Sequence, residues 1–325
     1  MDAAMKVLCA GEPLVVLVPD RRGSLAAVGG FTPYAAGAEL NTAIGLARLG
    51  VPSALACAVG DDPFGERIVR AARAEGVDTS CVARVEGYPT AVFFKQWAGL
   101  DGATSVYYYR STSPMAQGRW ELAPILQALK QGTWTWLHTT GITGMLGPEA
   151  AAGLTSLLTA ARQGGCTVSF DINVRRKLAD LAAWRALAAQ VAPWVDWYFL
   201  GDEEAEALLG TSDPAAVAAS LRACGFAGRG VIVKRGAAGA AACMGDEVLT
   251  VPAWPVAAVV DTVGAGDGFN AGFIAGMARG WPVAEAMRLG TLVGAFAVTA
   301  EGDYEGYPLW REAKRHLQQE EGVLR

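Results

Sequence analysis

Short runs rich in β-branched and aromatic residues alternate with longer stretches rich in alanine and leucine, and this alternation constrains the fold more than any other feature of the chain. Strands that alternate with helices pair in parallel, with helices on both faces of the sheet. The sequence therefore predicts an α/β fold with a mostly parallel central sheet. The predicted strands are Lys6–Gly11, Ser53–Gly60, Thr135–Thr140, Cys166–Asp171, Val195–Gly201 and Gly230–Gly236. The predicted helices include Glu39–Leu49, Pro63–Glu75, Pro148–Gln163, Asp202–Leu209, Pro214–Cys224 and Gly268–Arg279.

Two segments interrupt this alternation, and each has the pattern of strands without a helix between them. Leu14–Tyr34 contains LVVLVP and AAVGGFTPYA, and Thr90–Arg110 contains TAVFFKQWAG, a Gly/Asp turn and TSVYYYR. Such pairs predict a small antiparallel sheet that serves as a lid or as an oligomer contact. We therefore expect one α/β domain over residues 1–325, with lid strands inserted at about 13–35 and 89–111.

Charge and composition limit the partners that the protein can have. The 325 residues include 27 Lys and Arg against 32 Asp and Glu, a formal net charge of −5, which argues against a nucleic-acid-binding face. No apolar run reaches the roughly 18 residues of a membrane helix, and the N-terminal MDAAMKVLCAGE lacks the pattern of a signal peptide. The six cysteines are widely spaced without a CxxC pair, which indicates reduced thiols and a cytoplasmic protein.

Polar side chains stand where four predicted segments end. Asp171 follows TVSF, Glu204 follows WYFLGDE, Lys234 ends GVIVK, and Asp267 follows AVVDTVGAG. Ligands of open parallel sheets bind at the carboxyl ends of the strands, so these four side chains indicate the rim of an active site. The alternative is that strand ends are polar because they reach solvent.

The stretch VVDTVGAGDGFNAGFIAG, residues 259–276, places one carboxylate among glycines at the start of an apolar helix. Gly264, Gly266 and Gly268 permit a tight turn and close backbone approach, and the helix is expected to begin near Asp267. Free N–H groups at a helix N-terminus can bind a phosphate, and a carboxylate beside them can accept a proton from an attacking hydroxyl. The alternative is that Asp267 is only an N-cap.

Other catalytic devices are absent from the sequence. It has no GxxxxGK[ST] P-loop, no kinase-type HRD or DFG set, no GxSxG elbow and no GxGxxG after the first strand. Its two histidines, His138 at the end of an aromatic-rich strand and His316 in a polar C-terminal helix, are not placed for chemistry.

Two separated motifs resemble the signatures of the PfkB/ribokinase family of sugar kinases. DTVGAGDGFNAGFI resembles the C-terminal signature over its whole length, and AAGAELNTAIGLARLGVPSALACAVG resembles the N-terminal one, departing from it at Glu39 and Leu40. GDDPFG, FDINVR, GDEE and VKRGAAG follow in family order, so the resemblance runs from about Lys6 to Leu309. It implies a ribokinase-like three-layer α/β/α sandwich with a small β-sheet lid.

Within the family, the chain most resembles 2-keto-3-deoxygluconate kinases, on GEPLVVLVP, AGAELN, YYYR, TGIT, DINVR and EGDYEGYP. The resemblance implies transfer of a phosphoryl group from ATP, with Mg²⁺, to the 6-hydroxyl of that sugar acid. A monovalent cation is also possible in this family. A homo-oligomer that is clasped through the lid is implied as well.

The resemblance also implies individual roles. Asp267 is the base, and Gly264, Ala265 and Gly266 form the anion hole. The residues implied to contact the substrate are Gly37, Ala38, Asn41, Phe93, Tyr109, Arg110, Arg175 and Asp303. Those implied to contact the nucleotide are Asn173, Lys234, Gly236 and Gly239, and Glu204 is implied to organise Mg²⁺ through water.

Two arginines and two departures bear on the substrate. A guanidinium binds a carboxylate through two parallel hydrogen bonds, so Arg110 and Arg175 favour a sugar acid over a neutral sugar such as fructose. Phe93 replaces a tyrosine of some relatives, and Gly201 replaces the asparagine that often begins the NxxE motif. A fructokinase and a non-catalytic sugar-binding relative remain the alternatives.

Overall fold

The computed structural model describes residues 5–97 and 104–323. The strands are β1 (Val7–Ala10), β2 (Leu14–Pro19), β3 (Phe31–Ala36), β4 (Ser53–Gly60), β5 (Val82–Val85), β6 (Val92–Trp97), β7 (Thr104–Tyr109), β8 (Trp136–Thr140), β9 (Thr167–Asp171), β10 (Trp197–Gly201), β11 (Gly230–Lys234), β12 (Ala240–Met244) and β13 (Glu247–Val251). The α-helices are α1 (Ala38–Arg48), α2 (Pro63–Ala74), α3 (Leu122–Lys130), α4 (Gly141–Met145), α5 (Pro148–Gln163), α6 (Leu181–Val191), α7 (Asp202–Leu209), α8 (Pro214–Ala223), α9 (Ala265–Ala278), α10 (Val283–Ala297) and α11 (Trp310–Val323).

Nine strands form the main sheet, in the order β13-β12-β11-β10-β9-β8-β1-β4-β5. All pairs from β11 to β5 are parallel, whereas β12 and β13 form an antiparallel extension at one edge. Strands β1, β4 and β8 are buried along their whole length, as expected when helices cover both faces. The predicted α/β fold with a mostly parallel sheet is therefore confirmed.

The antiparallel edge was not predicted from the sequence. Strand β12 has the sequence AAACM, which lacks β-branched residues and favours a helix by intrinsic propensity. It is nevertheless a buried strand, because it pairs with both β11 and β13. Pairing and burial in the tertiary structure override the local preference there.

The smaller sheet has the strand order β3-β2-β6-β7 and forms the predicted lid. Its central pair, β2 with β6, is parallel, so the expectation of a purely antiparallel sheet was wrong. A small apolar core of Leu14, Val16, Val18, Ala36, Ala91 and Phe93 lies under it. The Gly/Asp turn predicted between β6 and β7 lies outside the described residues.

The outer face of the lid is aromatic. The Phe94 ring contacts the rings of Phe31 and Tyr109 edge to face, with centroids 5.2 and 5.7 Å away. Tyr109 is 65 % exposed and Tyr107 is 45 % exposed. Self-association through this face stays a prediction.

Small residues bring helices α1, α9 and α10 close together. A Cβ on Gly45 of α1 would lie 2.6 Å from the Cβ of Ala271 of α9, and one on Gly272 would lie 2.7 Å from the Cα of Gly290 of α10. This packing places the N-terminal turns of α1 and α9 side by side.

Among the helices that the structure describes, none has the length and hydrophobicity of a membrane span.

Candidate active site

A cavity of about 520 Å³ lies where the carboxyl ends of β9, β10 and β11 face the lid. Strands β6 and β7 contribute the lid wall, and the N-terminal turns of α1 and α9 also line the cavity. The sequence-predicted residues that line it are Gly37, Ala38, Asn41, Phe93, Arg110, Asn173, Arg175, Glu204, Lys234, Gly236, Gly264, Gly266, Asp267 and Asp303. The structure thus brings together residues that are up to 266 positions apart in the sequence, from Gly37 to Asp303.

The glycine turn before α9 requires Gly264. This residue has φ of +81°, and a Cβ on it would lie 1.9 Å from the carbonyl oxygen of Asp303. The Tyr307 hydroxyl donates a hydrogen bond of 2.6 Å to the Gly264 carbonyl and holds the turn from the other side. Gly264 is the N-cap and α9 begins at Ala265, so the helix starts three residues earlier than the predicted Gly268.

Asp267 lies in the first turn of α9 and is not its N-cap. Its Oδ2 accepts a hydrogen bond of 2.8 Å from Asn41 Nδ2, on a different helix. The pKa of Asp267 is raised to about 7. Burial is the largest cause and the nearby Asp171 adds to it, while the Asn41 hydrogen bond, Lys234 and Arg175 act in the opposite direction. A carboxylate with a pKa near neutrality is suited to accept a proton from a substrate hydroxyl.

Asn41 connects Asp267 to a second carboxylate and to the lid. Its Nδ2 also lies 3.3 Å from Asp303 Oδ2. The other oxygen of that carboxylate, Asp303 Oδ1, lies 3.3 Å from Lys95 Nζ on the lid. Lys95 Nζ lies 3.0 Å from Asp261 Oδ2 as well. Lys95 is only 1 % exposed. Burial alone would lower the pKa of Lys95, but Asp303 and Asp261 outweigh burial and raise it, so the ammonium stays charged.

Asp171 forms a second polar cluster at the end of β9. Its Oδ2 accepts hydrogen bonds of 2.6 Å from both Lys234 Nζ and Asn270 Nδ2. Its Oδ1 is buried and has no protein partner among the described residues. A Cβ on Gly266 would lie 3.1 Å from Lys234 Nζ, so the lysine reaches the turn before α9.

Glu204 joins the loop after β9 to the end of β10. Its Oε1 accepts from the Val174 N–H at 2.7 Å and its Oε2 from the Gly201 N–H at 2.8 Å. Burial and the charge of Asp171 raise the pKa of Glu204. Asn173, in the same loop as Val174, has φ of +49°, the only positive φ of a non-glycine residue in the described part of the chain. No group of three or more His, Cys, Asp or Glu side chains there is arranged to hold a metal ion.

The two predicted arginines differ in their environment. Arg110 is buried, and its Nε and Nη2 lie 2.6 and 2.5 Å from Glu12 Oε2. Glu12 also accepts a hydrogen bond from the Ser113 hydroxyl. Arg175 is half-buried, and its only side-chain hydrogen bond within the described residues goes to the Val174 carbonyl. The charge of Arg110 is thus offset by Glu12, whereas Arg175 forms no ion pair with any residue that the structure describes.

Three predicted site residues do not line the cavity. Tyr109 lies on the outer face of the lid, and its neighbour Tyr108 faces the cavity instead. The period-two alternation of a strand that places Arg110 inward also places Tyr108 inward, and this signal was overlooked. Gly239 is the second residue outside the cavity: it has φ of +88°, lies beside the Val251 carbonyl and shapes the β11–β12 turn. Ala265 is the third, and its N–H donates to the Thr262 carbonyl at 3.4 Å.

Several cavity residues were given no role from the sequence. They are Glu12, Leu14, Glu39, Lys95, Val106, Tyr108, Ile142, Gly201, Asp202, Thr262 and Val263, whereas Asp171 was predicted only as part of the rim. Glu39, noted only as a departure from the family signature, accepts hydrogen bonds at Oε1 from Thr140 and Thr143 and thereby joins α1 to α4. His138 is buried away from the cavity, and burial lowers its pKa to about 4.

Comparison with known proteins identifies the family. The pfkB family of carbohydrate kinases matches residues 4–310. The chain is 35 % identical to a 2-dehydro-3-deoxygluconokinase of Bacillus subtilis (strain 168), over 92 % of this chain and 91 % of that protein. It is 31 % identical to a fructokinase of Klebsiella pneumoniae, over 96 % of this chain and 99 % of that protein. A candidate Ribokinase II of Escherichia coli, solved in complex with ATP and Mg²⁺, superposes with a TM-score of 0.85 at 27 % identity over 97 % of this chain and 99 % of that one. The chain therefore belongs to the pfkB family of carbohydrate kinases, and it is a sugar phosphotransferase.

Proposed function

We propose that this protein transfers the γ-phosphoryl group of ATP to the 6-hydroxyl of 2-keto-3-deoxygluconate, the sugar acid that is also called 2-dehydro-3-deoxygluconate. One observation carries the choice of a sugar acid: Arg175 lines the cavity, and within the described residues it forms no ion pair. The similarity to the Bacillus subtilis 2-dehydro-3-deoxygluconokinase supports the same substrate.

Arg175 differs in this respect from the other cations of the cavity. Each of the other three contacts a carboxylate: Lys95 pairs with Asp261 and Asp303, Lys234 with Asp171, and Arg110 with Glu12. Arg175 lies near the Asp267 and Glu204 carboxylates but forms no ion pair with either among the described residues. Its guanidinium therefore keeps donors for an anionic ligand, and it matches the geometry of a carboxylate. Arg110 retains its Nη1 donors, which suit a carboxylate or hydroxyl oxygen of the same substrate.

In this proposal Asp267 accepts the proton of the attacking sugar hydroxyl. The first regular helical hydrogen bond of α9 is donated by the Gly268 N–H to the Gly264 carbonyl at 2.8 Å. The N–H groups of Gly266 and Asp267 come before that bond and are available at the positive end of the helix dipole. They are placed to stabilise the charge of the transferred phosphoryl group, next to the base.

The residues at the sheet ends suit the nucleotide and its metal ion. Lys234 provides a positive charge next to the turn, and Asn173 and Gly236 line the same wall. Mg²⁺ favours one or two carboxylates together with substrate phosphates and water. The unpartnered Oδ1 of Asp171 and the remaining lone pairs of Glu204 are the acceptors that would hold its waters. Bound Mg²⁺ supplies charge neutralisation of the phosphates.

A neutral-sugar kinase is the second candidate function. The pairing of Arg110 with Glu12 favours it, because an offset charge next to free N–H donors also suits a hydroxyl group. The similarity to the Klebsiella pneumoniae fructokinase supports it as well. A non-catalytic sugar-binding protein is less compatible, because pure binding does not need a carboxylate whose pKa is raised to about 7.

A substrate panel tests the proposal. The purified protein, with ATP and MgCl₂, is assayed for ADP release with 2-keto-3-deoxygluconate, 2-keto-3-deoxygalactonate, gluconate, fructose and ribose. We expect the highest kcat/KM with 2-keto-3-deoxygluconate, and mass spectrometry should locate the phosphate on its 6-oxygen. A preference for fructose would contradict the Arg175 argument, and no ADP release with any sugar would favour the binding protein.

A further inference from the structure

Lys95 is a buried lysine that connects the lid to the main domain. It lies on lid strand β6 on the same face as Phe93, two residues away, and lines the cavity. Its two carboxylate partners belong to the main domain: Asp261 precedes the glycine turn, and Asp303 follows α10. A lysine in a lid strand is usually exposed, so its 1 % exposure requires an explanation.

The contacts of Lys95 continue as far as the base. Asp303 Oδ1 faces Lys95, and Asp303 Oδ2 faces the Nδ2 of Asn41, which in turn donates to Asp267 at 2.8 Å. One amide nitrogen therefore contacts two carboxylates, and its two N–H bonds can serve one each. The position of Asp303 thus controls where the Asn41 amide lies, and the position of Asn41 controls where the Asp267 carboxylate points.

We propose that Lys95 is a positioning residue of phosphoryl transfer: it holds Asp303, and thereby holds the Asn41 amide against Asp267, when lid strand β6 lies over the cavity. This rests on the proposed role of Asp267 as base, and it does not depend on which sugar is phosphorylated. Closing of the lid then aligns the base as well as covering the substrate, because the same lid strand carries Phe93 and Lys95.

Charge explains why a lysine is needed at this position. Asp261, Asp303 and Asp267 place three carboxylates around the turn, and Lys95 contacts two of them. Without its ammonium, Asp303 would repel Asp267 and would compete more strongly for the Asn41 amide. The carboxylate that accepts the substrate proton would then lose its orientation, and small displacements of a catalytic group lower the rate strongly.

The alternative is that Lys95 only fastens the lid. Lys177 provides a matched control, because it also joins the main domain to the lid. Its Nζ donates to the Val106 carbonyl on β7 and lies 5.0 Å from the centre of the Tyr107 ring, with no contact to Asp303 or Asn41. A residue that only fastens the lid should change KM for the sugar more than kcat, as we expect for Lys177→Met.

A double-mutant cycle separates the two roles. We measure kcat and the KM for the sugar in four variants: Lys95→Met, Asp303→Asn, the double variant and Lys177→Met. Circular dichroism melting checks the fold of each. We expect Lys95→Met to lower kcat by about 10- to 100-fold, with Lys177→Met within about 3-fold of the original. Because Lys95 acts through Asp303, the double variant should turn over no more slowly than Asp303→Asn alone. Lys95→Arg, which keeps the ion pair, should retain kcat within about 5-fold.

Three results would overturn the proposal. These are an unchanged kcat in Lys95→Met, additive losses in the double variant, or a Lys95→Arg variant that is as slow as Lys95→Met. If Lys95→Met does not fold, Lys95→Gln replaces it in the cycle, and additive losses there contradict the proposal equally. Normal turnover of Asp267→Asn would instead remove the role of the base and leave the Lys95–Asp303 coupling measurable.

Discussion

Asn41 Nδ2 donates a hydrogen bond of 2.8 Å to Asp267 Oδ2, and these two residues are 226 positions apart in the sequence. The bond joins the first turns of α1 and α9, which the small residues of both helices bring together. Sequence similarity assigned Asn41 to the substrate, and the structure adds a contact to the proposed base. The hydrogen bond opposes the rise in the pKa of Asp267 that burial causes.

Asn41→Ala should therefore slow turnover and shift its pH dependence. Without the amide, the Asp267 carboxylate loses both its orientation and a contact that stabilises its ionised form. We expect kcat to fall by about 10- to 100-fold at pH 8 and the acid limb of the kcat profile to move to higher pH. Thr155→Ala, on helix α5 and away from the cavity, serves as the control. An acid limb at the same pH as in the original protein would contradict this role of Asn41.

The raised pKa of Asp267 predicts the pH dependence of the original protein. The base acts in its ionised form, and its pKa is about 7. We expect log kcat/KM to fall with a slope of about one below that pH and to level off above it. Circular dichroism over the same range should show the fold intact. An acid limb near pH 4, the range of an ordinary aspartate, would show that Asp267 is not perturbed in this way.

The same shift predicts that Asp267 destabilises the fold when it is ionised. Its folded pKa of about 7 lies above the ordinary aspartate value of 3.8, so the folded state binds the proton more tightly than the unfolded chain does. The unfavourable contribution is absent below about pH 4, grows between about pH 4 and 7, and is complete above that. We expect Asp267→Asn to raise the free energy of unfolding by about 2–4 kcal/mol at pH 8 and to have little effect at pH 4. Urea unfolding at both values measures it, and equal effects at the two would contradict the assignment.

Arg175→Gln should weaken binding of the sugar acid selectively. The variant removes the cavity cation that lacks a carboxylate partner in the described chain. We expect KM for 2-keto-3-deoxygluconate to rise by about 10- to 100-fold, while any activity on a neutral sugar changes little. Arg176→Gln, an exposed neighbour that does not line the cavity, is the matched control. An equal loss with neutral and acidic sugars would show that Arg175 does not contact the carboxylate.

Gly264→Ala should abolish activity, since the turn leaves no room for a Cβ 1.9 Å from the Asp303 carbonyl. Gly280→Ala, at the other end of α9, is a control for backbone strain alone, because Gly280 has φ of +70° and no atom within 4 Å of its Cβ position. We expect Gly280→Ala to cost about 1 kcal/mol of stability with normal kcat, and Gly264→Ala to lower kcat by at least about 100-fold. Similar kcat values for both variants would contradict the steric argument.

The parts of the fold that repeat a local pattern could be predicted from the sequence. The alternating pattern indicated six parallel strands of the main sheet, β1, β4, β8, β9, β10 and β11, but not the short edge strand β5. The glycines around Asp267 indicated the turn before α9. The start of α9 was misplaced, because its first turn is AGDG and glycine is unfavourable in a helix by propensity. Its burial against α1 and α10 compensates for that preference.

The rest of the site depends on contacts that no local pattern records. Lys95 in a strand indicates an exposed side chain, and only the fold brings Asp261 and Asp303 to it. Asp171 was identified as a strand end, but its contacts with Lys234 and Asn270 require three separate elements to meet. Tyr108, by contrast, could have been identified, since the strand alternation that selects Arg110 also selects it.

Asp267→Asn provides the most direct test of the account. The variant keeps the size of the side chain and can still accept from Asn41, but it cannot take a proton from the sugar hydroxyl. Single-turnover measurements at pH 8, with saturating ATP, Mg²⁺ and 2-keto-3-deoxygluconate, report the chemical step. We expect the rate to fall by at least about 100-fold, with KM values and the circular dichroism spectrum retained. A rate within a few-fold of the original protein would contradict the assignment of Asp267 as the base.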